Sequence, residues 1–149
     1  MYTVEEFDKE KSKVLKYILY KKRSKQEVKN KFYNVIDGEL LNDIIDELEE
    51  NGYINDSNYI ERAINEYIAL NNLSIKEVRY KLASKGISSN LIDDYIVENK
   101  EKLVEYEFES ARKIVIKKMN TMKKEDIVQH LLKKGYMNES VQEAIREIE

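Results

Sequence analysis

Residues 24–48 read SKQEVKNKFYNVIDGELLNDIIDEL, and residues 74–96 read SIKEVRYKLASKGISSNLIDDYI. Both stretches open with Ser-x-x-Glu, and their apolar residues then recur at intervals of three and four, the spacing of amphipathic helices. The same apolar positions return after 50 to 51 residues and again after a further 49: Val28, Val78 and Ile127; Phe32, Leu82 and Leu131; Ile45, Ile96 and Ile145. The chain is therefore predicted to contain three copies of one helical unit.

The composition agrees with a wholly helical chain. The 149 residues include four glycines and no proline, and sheets and tight hairpins normally consume such turn residues. The periodicity predicts nine helices, at about residues 4–22, 25–33, 38–51, 56–71, 75–85, 89–98, 101–119, 122–134 and 139–148. Only Asn99 and Lys100 separate the sixth from the seventh, so one long bent helix is an alternative there.

Start and stop signals fit these helices. Capping boxes, in which a hydroxyl and a carboxylate each bond a free backbone N–H, are predicted at Thr3, Ser24 and Ser74. Simpler side-chain caps are predicted at Asp37, Asp56, Ser88 and Asn138. Left-handed glycines that close a helix are predicted at Gly52, Gly86 and Gly135.

The predicted fold is all-α, with three tandem three-helix repeats stacked in an elongated, curved solenoid. The repeats span residues 1–54, 55–99 and 100–149. A single unit of this size has little apolar surface to bury, so we expect neighbouring units to stack on one another. Such a shape offers a long surface to a large partner.

Charge is segregated along the chain although the net charge is only -3. Residues 13–31 carry eight Lys or Arg and one Glu, whereas residues 37–62 carry nine Asp or Glu and one Arg. Residues 112–134 are again basic, with eight Lys or Arg and two acids. The first two helices of each repeat thus tend to be basic and the third acidic. Stacking would align a basic edge and an acidic edge, although solvated helix faces with no partner are an equal alternative.

The sequence contains few residue patterns that could support catalysis or metal binding. Without cysteine, disulfides, thiolate nucleophiles and Cys-based metal sites are excluded, and a reducing, cytoplasmic setting fits. The only histidine, His130, has no second histidine to join it at a metal, and the segment 55–58 is interpreted as a helix cap, not a calcium loop. No phosphate loop or nucleophile motif occurs. We expect no catalytic residue, metal, cofactor or membrane span, and interpret the chain as a binding protein and not an enzyme.

Two kinds of binding are considered from the residues alone. The basic second helices of the repeats resemble recognition helices of DNA readers, but they have few Arg, Asn or Gln residues for base contacts. Most of the eleven tyrosines fall on apolar stripes or helix junctions. Tyr20, Tyr33 and Tyr80 lie among lysines and are kept as candidate contact residues.

Several stretches, in order, resemble the RecX family of regulatory proteins. The opening of that family is similar to YILYKKRSKQEVKNKF at residues 17–32, and its Gly-Tyr junction to LEENGYINDSNYI at residues 48–60. VRYKLASKGI at residues 78–87 resembles its second-repeat element, and ARKIVIKK at 111–118 followed by LLKKGY at 131–136 its third. The match covers roughly residues 11–149. Many members have an extra N-terminal region for which this sequence shows no counterpart.

The resemblance implies a function that the composition does not show. RecX proteins are non-enzymatic, all-helical modulators of the RecA recombinase. They bind in the groove of the RecA filament on single-stranded DNA and suppress its ATPase, strand-exchange and co-protease activities. The implied partners are the RecA filament and the single-stranded DNA within it, with a monomeric protein acting in the cytoplasm. A helical regulator that acts directly on DNA is the alternative.

Electrostatic contacts with such a partner are expected from the basic clusters of all three repeats. The candidate residues are Lys21, Lys22, Arg23, Lys25, Lys29, Arg79, Lys81, Lys85, Arg112, Lys113, Lys117 and Lys118. Exposed ion pairs are each worth about 1 kcal/mol or less, so we expect whole clusters, not single lysines, to matter.

Overall fold

The computed structural model describes residues 1–149 and contains nine α-helices and no β-strand. No predicted boundary differs from the observed one by more than two residues. The helices are α1 (Val4–Tyr20), α2 (Lys25–Phe32), α3 (Gly38–Glu50), α4 (Asp56–Leu70), α5 (Ile75–Ser84), α6 (Ser89–Glu98), α7 (Lys100–Lys118), α8 (Lys124–Lys134) and α9 (Asn138–Arg146).

The structure separates α6 from α7 at Asn99. This residue has φ -113° and ψ 25°, outside the helical region, and its side-chain amide donates to the Tyr95 carbonyl at 2.9 Å. Because the side chain bonds the last turn of α6, the chain leaves one helix and starts another. The alternative of one long bent helix is therefore wrong.

Most of the predicted caps are present, but the full capping box predicted at Thr3 is wrong, because only Ser24 and Ser74 have the reciprocal bond from the Glu side chain. The side chains of Thr3, Ser24, Ser74 and Ser88 each accept a hydrogen bond from the backbone N–H three residues later. Asp37 precedes α3 but makes no such bond. Asn55, not Asp56, caps α4, and Met137, not Asn138, precedes α9. Asp56 is instead engaged by a different helix, as described below.

Three apolar clusters follow one another along the chain. The first is formed by α1–α3 with Ile36 and Ile54, the second by α4–α6 with Leu103 of α7, and the third by α7–α9. We call these helix triplets unit 1, unit 2 and unit 3; the repeat boundaries after residues 54 and 99 stay a prediction. Within each unit the third helix packs against the first, and α6 with α7 is the only extensive helix contact between units.

The all-α fold of successive three-helix units is the predicted one. Within each unit the third helix packs on the first and covers much of the apolar face, and Leu103 of α7 joins the apolar cluster of unit 2. The accessible surface of the chain is 9716 Å², whereas a compact protein of 17.7 kDa exposes about 7,900 Å². The molecule is therefore elongated, and its units meet mainly through polar contacts.

A buried serine holds each junction between units. Ser24 caps α2 in unit 1, and its hydroxyl donates to the Lys85 carbonyl of unit 2 at 2.6 Å. Ser74 caps α5 in unit 2, and its hydroxyl donates to the Lys134 carbonyl of unit 3 at 2.8 Å. Both serines are fully buried. Each hydroxyl thus satisfies a helix start in one unit and a helix end in the next.

A carboxylate repeats the same pattern beside each serine. The Lys25 N–H donates to Asp56 Oδ1 at 2.9 Å, and the Ile75 N–H donates to Glu107 Oε1 at 3.2 Å. Both carboxylates come from the first helix of the following unit. Burial raises the pKa of both groups, and the hydrogen bonds from the backbone only partly oppose that shift.

Two glycines allow the units to approach this closely. Gly86 and Gly135 have φ of 81° and 98°, and each lies against the second helix of the preceding unit. An added Cβ at Gly86 would overlap Cβ of Gln26, and one at Gly135 would lie 2.8 Å from Cδ of Lys76. Gly52 has a similar φ of 83° but open space around it. The first two glycines therefore serve the junction as well as the turn.

We predict that Gly86→Ala destabilises the protein more than Gly52→Ala does. Both changes place a side chain in the left-handed region, which costs about 1 to 2 kcal/mol. Only Gly86→Ala also forces the junction apart, which should add at least about 1 kcal/mol. Urea unfolding followed by circular dichroism measures both variants, and equal losses would show that Gly86 matters only for its turn.

We also predict that Glu107 makes stability depend on pH. The folded state holds its proton more tightly than the unfolded state, so the free energy of unfolding falls as pH rises from the unfolded pKa of about 4.3 through the raised folded pKa. Glu107→Gln should reduce that fall, because the amide does not ionise. Glu105→Gln, at an exposed position of the same helix, is the control. Parallel pH curves for wild type and Glu107→Gln would contradict the prediction.

Candidate partner-binding surface

The twelve predicted contact residues all lie at least partly in solvent. Arg23, Lys25, Lys29 and Lys118 are half-buried, and the other eight are exposed. They are distributed over all three units, at the end of α1, on α2 and α5, and on the second half of α7. The structure therefore does not gather them into one pocket but spreads them along an extended surface.

Four of the twelve are paired within the protein. Lys25 bonds Glu49 at 3.1 Å, Arg79 bonds Asp93 at 2.5 Å, Arg112 bonds Glu147 at 2.7 Å and Lys85 lies 4.0 Å from Glu27. A partner would have to compete with these carboxylates. The other eight have no carboxylate partner; Arg23 and Lys113 make other contacts, and the remaining six are Lys21, Lys22, Lys29, Lys81, Lys117 and Lys118. No carboxylate of the protein compensates the charge of these six cations, so they are the ones best able to attract an approaching acidic molecule.

Arg23 and Lys113 are held by other contacts. The Arg23 guanidinium lies 4.0 Å from the centroid of the Tyr17 ring, a cation–π contact, and its Nε is buried. Arg23 therefore packs the end of α1 against the core of unit 1. Lys113 Nζ approaches the Leu70 carbonyl at 3.5 Å, so α7 meets the end of α4 at this point.

An exposed apolar row accompanies the cations. Tyr20, Leu70 and Met119 are spaced by 50 and 49 residues and stand at the ends of α1, α4 and α7. Their exposed fractions are 85%, 61% and 44%. We call these three residues the apolar row. Sequence reasoning named only Tyr20; the repeat spacing carried the signal for Leu70 and Met119, because both follow from Tyr20 by that offset.

The basic edge expected from the sequence is interrupted in unit 2. Helix α4 carries three acids and one arginine, so the rule that first helices are basic does not hold for it. The positions that correspond to Lys21 and Lys22 are Asn71 and Asn72. Positive charge at this edge is therefore concentrated in units 1 and 3, with a neutral, apolar section between them.

The remaining candidates have ordinary environments. Tyr20, Tyr33 and Tyr80 are exposed, as expected for contact residues. His130 is half-buried on α8, and its pKa is lowered by burial and by the charges of Lys118 and Lys134. The structure holds no group of three or more His, Cys, Asp or Glu side chains arranged to bind a metal ion. None of its helices combines the length and the apolar character needed to cross a membrane.

Comparisons with known proteins agree on one family. No family model matches the chain. Regulatory protein RecX of Staphylococcus haemolyticus is 33% identical over 141 residues, which is 90% of this chain and 52% of that protein. Regulatory protein RecX of Clostridioides difficile is 28% identical and is covered to 64%. The chain thus spans about half to two thirds of the length of these relatives.

Solved structures extend the likeness to three dimensions. The crystal structure of RecX from Lactobacillus salivarius has a TM-score of 0.81 and 26% sequence identity, and the match covers 97% of both chains. A second crystal structure, of regulatory protein RecX, has a TM-score of 0.80 at 23% identity and shares the fold. Sequence and fold lead to the same conclusion, that this chain is similar to the RecX regulatory proteins over about nine tenths of its length or more.

Proposed function

We propose that this protein binds the RecA recombinase filament on single-stranded DNA and negatively regulates it. The regulated activities are the ATPase, strand exchange and co-protease functions, as the family resemblance implies. The protein acts as a cytoplasmic monomer and performs no reaction of its own. The observation that carries the proposal is the apolar row, flanked in units 1 and 3 by cations without a carboxylate partner.

The apolar row has the composition of a protein-binding surface. Interfaces are rich in tyrosine, methionine and other large apolar side chains at their centres and polar at their rims. Tyr20 and Met119 extend into solvent although nothing in the fold requires their exposure. A partner that covers them removes apolar surface from water, at about 25 cal/mol per Å².

The elongated shape supports a polymeric partner. Units 1, 2 and 3 repeat their helix ends at regular sequence intervals and follow one another along an elongated molecule. A protein of this shape can contact successive subunits of a helical polymer with corresponding positions of successive units. Lys21 and Lys22 at one end and Lys117 and Lys118 at the other are then free to face acidic groups of the polymer or its DNA.

A second candidate function is direct action on nucleic acid. Tyr20, Tyr33 and Tyr80 are exposed. Two lysines near these rings have no carboxylate partner: Lys29 on α2, which ends before Tyr33, and Lys81 beside Tyr80 on α5. Aromatic rings beside cations are typical of surfaces that stack single-stranded bases. In this alternative the protein regulates recombination by occupying DNA and not by contacting RecA.

The first experiment measures single-stranded-DNA-dependent ATP hydrolysis by RecA while this protein is titrated from far below stoichiometric amounts. We expect inhibition at substoichiometric ratios, because one bound regulator affects a polymer of many subunits. No inhibition at saturating protein would contradict the proposed function.

We predict that the double change Lys21→Glu and Lys22→Glu weakens filament binding about tenfold or more, because repulsion replaces attraction at the end of α1. Arg23 is retained, since its contact with Tyr17 is structural. The control, Lys9→Glu with Arg62→Glu, makes the same charge change at two exposed, unpaired positions. Binding is measured by co-sedimentation with filaments, and circular dichroism checks the fold. Equal weakening by both variants would mean that only overall charge matters.

Salt dependence separates the two candidate functions. The affinity for phosphates falls steeply as the salt concentration rises, as a straight line in a plot of log K against log salt concentration. The affinity of a mixed protein interface depends less on salt. We expect weak, strongly salt-dependent binding to single-stranded DNA alone and tighter, less salt-dependent binding to filaments. Equal affinity and equal slope for DNA with and without RecA would favour the second candidate.

A further inference from the structure

The junction between units 2 and 3 contains an apolar cleft of about 420 Å³. This volume is within the range of natural ligand sites. Two of the side chains that line it remain clearly exposed, Val97 at 74% and Val104 at 38%. The apolar walls are formed by Ile75, Ile96, Val97, Leu103, Val104 and Met137.

The corresponding place at the first junction is a pocket of about 390 Å³ that is mainly polar, with Lys25, Glu49 and Asp56 among its lining residues. There, Lys25 and Glu49 form an ion pair at 3.1 Å. By the repeat spacing, their counterparts at the second junction are Ile75 and Lys100, which form no such pair. Asp46 likewise corresponds to Val97. The two junctions share their serine and carboxylate contacts, and both have a pocket, so it is the apolar lining that is specific to the second junction.

Charged groups lie both at the rim of the cleft and inside it. Lys76, Arg79 and Lys100 line it and are exposed, and Lys76 and Lys100 have no carboxylate partner. Glu107 also lines it but is fully buried; Oε1 accepts from the Ile75 N–H, while Oε2 has no hydrogen bond of good geometry, although the Met137 backbone N–H lies close enough to lower the pKa of the carboxyl. A buried oxygen without a good hydrogen bond destabilises the folded state, and an occupant with a well-placed donor would remove that cost.

We propose that this cleft binds a short acidic peptide segment of a partner protein. One large apolar side chain of the segment, such as leucine, methionine or phenylalanine, would contact the apolar walls. Its neighbouring Asp or Glu residues would pair with Lys76, Arg79 and Lys100, and a backbone N–H would donate to Glu107 Oε2. The proposal does not depend on the RecA proposal, which concerns the apolar row.

The arrangement of charge favours a peptide over other occupants. Cations at the rim attract carboxylates or phosphates, but the buried Glu107 carboxylate disfavours an anion inside the cleft. A peptide carries its acids on flexible side chains and its N–H donors on the backbone, so it can pair with the cations at the rim and donate to the buried carboxylate at the same time. A nucleic acid offers no large aliphatic side chain for the walls.

The test uses capped heptapeptides that have one central residue between three acidic residues on each side. Leucine, methionine and phenylalanine serve as the central residue; alanine at the centre, and leucine between lysines, are the controls. NMR of the full chain follows the methyl groups of Val97, Val104 and Met137. We expect saturable shifts at about 1 mM peptide or below for at least one of the three apolar centres, and none with either control.

A matched pair of variants locates the binding. Val97→Asp places at the cleft the residue type found at the first junction and should weaken binding about tenfold or more. Val35→Asp makes the same change at another exposed valine, in unit 1, and should leave binding unchanged. Both variants are checked for fold by circular dichroism.

Three results would overturn the proposal. The first is the absence of methyl shifts with all three apolar-centred acidic peptides. The second is equal binding of the alanine or lysine controls, or equal binding by the Val97→Asp variant. The third is concentration-dependent methyl shifts in the absence of peptide, which would assign the cleft to a second copy of this chain. Each readout is independent of RecA activity, so failure here leaves the filament proposal unaffected.

Discussion

The hydroxyls of Ser24 and Ser74 join the three units to one another, because each forms hydrogen bonds on both sides of a unit junction. A capping serine normally serves one helix. Here, each hydroxyl also donates to a carbonyl at the end of a helix in the next unit, inside a fully buried site. The serine bond and the neighbouring carboxylate bond together orient each unit relative to the next. That orientation in turn places the exposed residues at the helix ends of the three units relative to one another.

Much of this fold is predictable from the printed sequence. The nine helices and the two capping boxes at Ser24 and Ser74 are local features, set by apolar spacing and by residues three positions apart, so local reasoning finds them. The role of Asp56 is not local. Its type and position are those of a helix cap, but its carboxylate bonds Lys25, which is 31 residues away. Only the packing of two units decides between these roles. For the same reason, local patterns do not show that Leu103 of α7 packs into the core of unit 2.

The candidate surface shows the same division. Counting lysines identifies basic segments, and the structure leaves these residues in solvent as expected. Counting does not identify which lysines are already paired: Lys25 and Lys29 lie one turn apart on α2, yet only Lys25 reaches a carboxylate, that of Glu49 on α3. The apolar row was accessible through the repeat spacing. The cleft between units 2 and 3 was not, because its walls combine helix ends from both units and its buried carboxylate depends on the approach of α7.

The separation of the apolar residues into three clusters has a mechanical consequence. A protein with one continuous core resists bending everywhere, since any distortion exposes packed side chains to water. In this protein, the apolar side chains form three separate clusters, and polar contacts account for much of each junction between them, so we expect bending to be concentrated at the two junctions. The molecule is then expected to bend as a short rod with two joints. Such a rod can follow a partner whose repeat distance varies, at the cost of straining a few polar contacts and without unpacking any of its three cores.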